Sequence, residues 1–221
     1  MTTQAIPQLR RDGVARGLLP LAAALLFAAG GLLYLGQSLA IHAKAMVAQI
    51  LLERAFAQSI AEGTPVKPWS WADTWPMARL ELPRLGLSAI VLEGGSGQAL
   101  AFGPGHLENT PLPGEEGASV ISAHRDTHFT ALAGARIGDE IRVTRSDGVT
   151  VWFRITETQV VPWDQSGVDP QTSGRWLVLS TCYPLDATGR GTLRYLVKAQ
   201  FFASERRSQG MTSALVSGAV K

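Results

Sequence analysis

Among the 221 residues, one cysteine, four histidines and a few well-placed arginines are the first side chains to weigh for chemistry. Cys182 closes the run Trp176-Leu-Val-Leu-Ser-Thr-Cys182 and is followed by Tyr183-Pro184. A cysteine at the end of an apolar strand, just before a proline turn, sits at a rim. There a thiolate can act as a nucleophile, whereas a buried cysteine behaves as a small inert hydrophobe. His124 leaves the run Ala118-Ser-Val-Ile-Ser-Ala123 directly, and imidazole both gives and accepts protons near neutrality. The plainer reading of His124 is a surface loop residue. Asp126, two residues on, is a secondary candidate to orient it, though nothing in the sequence itself shows that role. His128, four residues on, could share a metal with His124 on a helix, but the zincin pattern needs Glu where Arg125 stands, so no metal site is expected. Arg194 lies inside Thr192-Leu-Arg-Tyr-Leu-Val-Lys-Ala199, where a cation among apolar neighbours is costly without a partner or a role. Its planar donors suit an anionic oxygen. Arg190 falls in a glycine-flanked turn. The order His, then Cys 58 residues later, then Arg after a further 12, excludes the papain arrangement, and the local signature excludes caspases.

These side chains need a β framework to hold them. From Met77 to about Ala203 the chain consists of short runs rich in β-branched residues, separated by turn signals. The segments 78–83 and 87–94 flank Arg84-Leu-Gly86 and read as a hairpin. Strands are expected at 118–123, 139–145, 149–161, 175–182 and 192–202, the 139–145 and 149–161 pair joined by Ser146-Asp147-Gly148, a strong turn signal. Short helices fit Gly97–Ala101 and Phe129–Ala133. Strands at this spacing predict an antiparallel sandwich or barrel.

Composition locates the rest. Hydrophobic residues are 46% and charged ones 17%, with mean hydropathy +0.10, below the usual charged fraction of about 25%. The surplus sits in Leu18–Ile41, 24 residues without a charge. At about 1.5 Å per residue they span a bilayer core of roughly 30 Å. The formal charge of +2 lies entirely in residues 1–17, so the positive-inside rule keeps that tail in the cytoplasm and translocates the remainder. A cleaved signal peptide ending near Ala43-Lys44-Ala45 is the competing reading, but the apolar run is longer than a normal signal core. With charge otherwise balanced, bulk attraction to nucleic acid is excluded. A single cysteine excludes an internal disulfide and multi-cysteine metal sites. In an exported chain, one retained thiol has a use. The layout expected is a basic tail (1–17), a transmembrane signal anchor (18–41), a helical stalk or docking surface (42–62), a catalytic domain (63–203) and a mobile tail (204–221). Ile41, Ala45, Ala48, Leu52, Phe56 and Ile60 form one stripe on the stalk, and His42 there is expected to do no chemistry. Trp69, Trp71 and Trp75 are expected to cover the domain more than to touch lipid.

The motifs Phe102-Gly-Pro-Gly-His-Leu107, Leu112-Pro-Gly-Glu115, Ala123-His-Arg-Asp-Thr-His-Phe129, Leu179-Ser-Thr-Cys-Tyr-Pro184 and Leu193-Arg-Tyr-Leu-Val197 together resemble a sortase, most nearly the class D-like group that includes Gram-negative members. Two positions depart from the family pattern. Ala123 stands where glycine is common, and Val178 where threonine often begins the cysteine strand. The resemblance implies a mainly β fold, a closed eight-stranded barrel with short helices preceded by a transmembrane helix. It implies a bacterial inner-membrane enzyme, single-pass, with its catalytic domain on the periplasmic side. Such an enzyme cleaves an LPxTG-like C-terminal sorting signal on a secreted protein between Thr and Gly and passes the product to an amine of the cell envelope or of a protein. On that reading Cys182 is the nucleophile forming a thioacyl intermediate, His124 the acid and base, and Arg194 the oxyanion or backbone holder. Asp126, His128 and Thr181 are secondary candidates. The loop from Pro162 to Gly174 is the expected groove wall. No cofactor, metal or nucleic acid is expected. A cysteine endopeptidase using water, and a catalytically silent binding module, are the alternatives.

Overall fold

The computed structural model describes residues 12–186, 189 and 191–206. Residues 1–11 of the expected basic tail, residues 207–221 of the expected mobile tail, and Arg190 lie outside them. Ala and Leu dominate the first element, helix α1 (Asp12–Glu62), and both are strong helix formers. The chain divides into two compact units, Met1–Val47 and Ala48–Lys221. In the first, Leu25, Leu26, Phe27, Leu32, Leu33 and Leu39 are all exposed. The stretch Ala23–Glu62 is long and apolar enough to cross a membrane.

The second unit begins with the last turns of α1. Leu52 and Phe56 are buried there against Ile90, Leu92 and Ala99. The expected stripe is therefore split: Ala48, Leu52 and Phe56 are buried, whereas Ile41 and Ala45 are exposed. Trp69 meets the Phe102 ring edge-on at 5.1 Å, while Trp71 is exposed.

Eight strands follow: β1 (Pro76–Leu82), β2 (Leu87–Glu93), β3 (Gly105–His106), β4 (Gly117–Ser122), β5 (Glu140–Arg145), β6 (Val149–Pro162), β7 (Arg175–Tyr183) and β8 (Leu193–Arg206). Helix α2 (Gly97–Phe102), capped by the Ser96 hydroxyl, and a 3-10 turn at Thr130–Gly134 fill two connections where short helices were expected. The strands close in the order β1-β2-β3-β4-β7-β8-β6-β5, which leaves the barrel no free edge. β8 runs three residues past Ala203, into the segment expected to be a mobile tail. Leu80, Ile121, Phe129, Ile141, Phe153, Leu177, Leu179 and Val197 fill the interior.

Not every pairing is antiparallel. β2 with β3 and β4 with β7 are parallel, unlike the expectation from strand spacing. The physical reason lies in the burial of β4 and β7 on both faces. Ile121, Leu177 and Leu179 point into the barrel, while Ala118, Val120 and Val178 form a second apolar cluster with Leu196 on the outside. Two-sided burial is the usual condition of parallel strands.

Candidate active site

Alternation places the expected residues on one face. Along β7, Leu177 and Leu179 face inward, so Trp176, Val178, Ser180 and Cys182 face outward. Along β8, Val197 and Ala199 face inward and Arg194, Leu196 and Lys198 outward. Cys182 and Arg194 are direct antiparallel partners, which brings their Cα atoms to about 4.5–5.5 Å. The parallel register of β4 and β7 ends at Ser122 opposite Ser180 and continues one step, as the Ala123 amide donates to the Ser180 carbonyl at 3.1 Å. His124 therefore leaves its strand at the edge where Cys182 ends its own. Adjacent strands lie about 4.8 Å apart. Three residues scattered over 71 positions of sequence are thus gathered at one end of the outer β4-β7-β8 face.

Burial differs among them. His124 is exposed, and Cys182, a free thiol, and Arg194 are half-buried. The Arg194 Nη1 donates to the carbonyls of Gly191 at 3.3 Å and Leu193 at 3.1 Å. No carboxylate neutralises Arg194 among the described residues, and its strand position lies directly opposite Cys182. Thr181 is buried, and its hydroxyl donates to the Ala123 carbonyl at 2.8 Å. The peptide just before His124 is thereby tied to the residue just before Cys182. On the far side, the Phe129 amide donates to the His124 carbonyl at 3.1 Å.

The secondary candidates divide. His128 is half-buried, and burial first, then the positive charge of neighbouring His124, holds its imidazole below the ordinary histidine value of 6.5. Asp126 is exposed and makes no hydrogen bond to His124 among the described residues. Of the other histidines, His42 is exposed and donates to the Ser38 carbonyl at 2.8 Å. His106 is buried, with Nε2 at 3.1 Å from the Pro111 carbonyl and Nδ1 at 3.6 Å from Glu93. Among the described residues no cluster of three or more His, Cys, Asp or Glu is placed to hold a metal.

A cleft of about 230 Å³ opens on the same outer face, lined by Ala118, Val168, Trp176, Val178, Thr172 and Lys198. Val168 and Thr172 come from the loop 163–174, so that segment forms one wall. The wall is fixed at both ends. At one, the Trp163 amide donates to the Thr192 carbonyl at 2.9 Å; at the other, the Pro170 carbonyl accepts from the Ala118 amide at 3.1 Å. Gly117, at φ +106°, allows that second contact: a Cβ there would stand 2.2 Å from the Pro170 oxygen.

Sequence reasoning passed over Arg125, which is only 6% exposed. Its Nη1 donates to the Pro184 carbonyl at 2.7 Å and its Nη2 to the Gly189 carbonyl. Strand alternation carried past β4 was the available signal, since it turns position 125 inward when 124 faces out.

The chain is similar to known proteins of one family. Residues 80–201 match the family model of the sortase domain. Sortase D of Bacillus subtilis is 32% identical over 119 residues, which are 53% of this chain and 60% of that protein. The sortase D5 transpeptidase structure from Clostridium perfringens superposes with a TM-score of 0.52 at 28% identity, covering 58% of this chain and 79% of that one. A sortase E structure from Streptomyces avermitilis does so with a TM-score of 0.51 at 31% identity, covering 63% and 96%. A family model spanning more than half of the residues, and a closed barrel shared with solved members, make this chain one of the sortase family.

Proposed function

We propose that the chain is a membrane-anchored cysteine transpeptidase of class D-like type, acting on secreted proteins that end in an LPxTG-like sorting signal. The observation that carries the reading is the alignment of Cys182, Arg194 and the exit of His124 at one end of an outer face that also holds a cleft, with apolar walls and the charged Glu157, Asp169 and Lys198 in its lining. The Cys182 thiolate attacks the carbonyl of the signal's threonine. Arg194, with no carboxylate partner among the described residues, donates to the oxyanion. His124 protonates the departing glycine amine as the C–N bond breaks and the C–S bond forms. An incoming amine loses its proton to His124 and attacks the thioester, so that C–S breaks and a new C–N bond forms. Thioesters suit aminolysis, which favours transfer over a plain hydrolase.

Scale supports the substrate class. Val178 lies four residues from Cys182 along β7, about 13 Å at 3.3 Å per residue, and an extended peptide covers that distance in three to four residues. The apolar walls made by Ala118, Val168, Trp176 and Val178 then suit the leucine that leads the signal. The uncharged Leu18–Ile41 run, preceded by a tail that carries the whole formal excess of positive charge, supports a single-pass inner-membrane anchor with the barrel, residues 76–206, on the periplasmic side.

The test uses the full chain in detergent with a panel of LPxTG-type peptides, with and without an added amine, and mass analysis of enzyme and products. A thioacyl adduct on Cys182, and an amine-linked product, are expected; Cys182→Ala abolishes both while the barrel stays folded. Turnover surviving in that variant overturns the nucleophile assignment. Product that is hydrolysed even with amine present makes the enzyme an endopeptidase. No adduct with any peptide, together with a thiol inert to alkylation, makes the domain a binding module.

A further inference from the structure

Arg125 is a buried guanidinium that the reaction as described does not use. Among the described residues it has no carboxylate partner, and its donors go to backbone carbonyls instead: Pro184 at 2.7 Å and Gly189. Both acceptors belong to the connection between β7 and β8, which begins two residues after Cys182 and ends just before Arg194. Gly191 brings that connection back beneath β7: a Cβ there would stand 2.1 Å from the Tyr183 carbonyl and 3.7 Å from the Arg125 Nη1. Arg125 therefore holds the connection at two of its described residues, Pro184 and Gly189. The same turn supplies the Gly191 carbonyl to which the Arg194 Nη1 donates at 3.3 Å. In the other direction, Arg125 is covalently next to His124, and the preceding peptide is already held by Thr181.

One side chain thus bridges the His124 segment to the connection that follows Cys182 and leads into Arg194. We infer that Arg125 is a positioning residue for thioacyl transfer, its planar fork fixing the relative placement of His124, Cys182 and Arg194. The inference rests on the transpeptidase reading. It does not extend to the cleft at Val178 and Trp176, about 13 Å along the strand from Cys182, so peptide binding there should not depend on Arg125.

That separation gives the test. In the full chain in detergent, Arg125→Ala, Arg125→Met and Arg125→Lys are compared with the parent for kcat and KM on a sorting-signal peptide. Amide hydrogen exchange is followed in the β7–β8 connection. A displacement of reacting groups by about 1 Å can cost on the order of 100-fold. Arg125→Met is expected to lose about 10- to 100-fold in kcat with KM within about twofold, and to exchange faster in the connection. Arg125→Lys retains the charge and folding but cannot reach both carbonyls, so it is expected to fall between Met and the parent. Guanidinium ion at millimolar concentration is expected to restore part of kcat in Arg125→Ala. If that variant does not fold, the Lys and Met variants decide. Parent-like kcat in both, or a loss confined to KM, overturns the positioning role while leaving the transpeptidase reading intact. A parent enzyme that forms no thioacyl adduct overturns both.

Discussion

Thr181→Val removes one hydroxyl and almost no volume from the point where the histidine and cysteine segments meet. The Thr181 hydroxyl is buried and donates to the Ala123 carbonyl at 2.8 Å, and no other donor reaches that oxygen among the described residues. Valine fills the same space, so the change leaves a buried carbonyl without a partner. That costs about 1–3 kcal/mol. For a chain of this length, about 2 kcal/mol lowers the melting temperature by about 4–8 °C. Thr181→Ser is the control: it keeps the donor and loses one methyl, for about 0.8 kcal/mol. Thermal unfolding in detergent ranks the two, and kcat on a sorting-signal peptide separates packing from positioning. Val is expected to lose about 10- to 100-fold in kcat, because His124 follows the freed peptide. Ser is expected to stay within about threefold. A valine variant as stable and as active as the parent would refute the claim that this hydrogen bond places His124.

Two further outcomes follow from charge. Arg194→Lys keeps a cation opposite Cys182 but loses the planar donor pair, so kcat is expected to fall by about 100-fold or more, the scale of a lost oxyanion donor; activity near the parent's would remove Arg194 from that role. His128 titrates lower in the folded protein than the ordinary 6.5, first through burial and then through His124. Below about pH 6.5 the unfolded chain binds the extra proton before the folded one does, so stability falls as the pH drops through that value. Urea midpoints between pH 7.5 and 5.5 are expected to drop more for the parent than for His128→Gln, and equal slopes would contradict this.

Most strands were legible because alternation and turn residues are local. The Asp147-Gly148 turn shows this: the Asp147 carboxylate accepts from the Val149 amide at 3.1 Å and Gly148 adopts φ +79°. The strand β3 was not legible, since two residues, Gly105 and His106, carry no periodicity. Nor was the parallel pairing of β4 with β7, although the near-continuous apolar runs Ala118-Ser-Val-Ile and Trp176-Leu-Val-Leu were its trace. At the site, Cys182, His124 and Arg194 stood out as polar groups ending or interrupting apolar runs. Arg125 did not, because its role lies in what it touches 59 and 64 residues away. Val178, a departure from the family pattern, turns out to line the cleft on the outer face.

The loop 163–174 is held at Trp163 by Thr192 and at Pro170 by Ala118, with Gly117 making room for the second contact. A segment clamped at two points behaves as an arch whose footings belong to the barrel and whose crown does not. Exchanging residues between the footings, as at Val168, reshapes the cleft without shifting the β4-β7-β8 ladder that sets the spacing of His124, Cys182 and Arg194. On the proposed transpeptidase reading, recognition can therefore drift from one sorting signal to another while the three reacting residues stay in register.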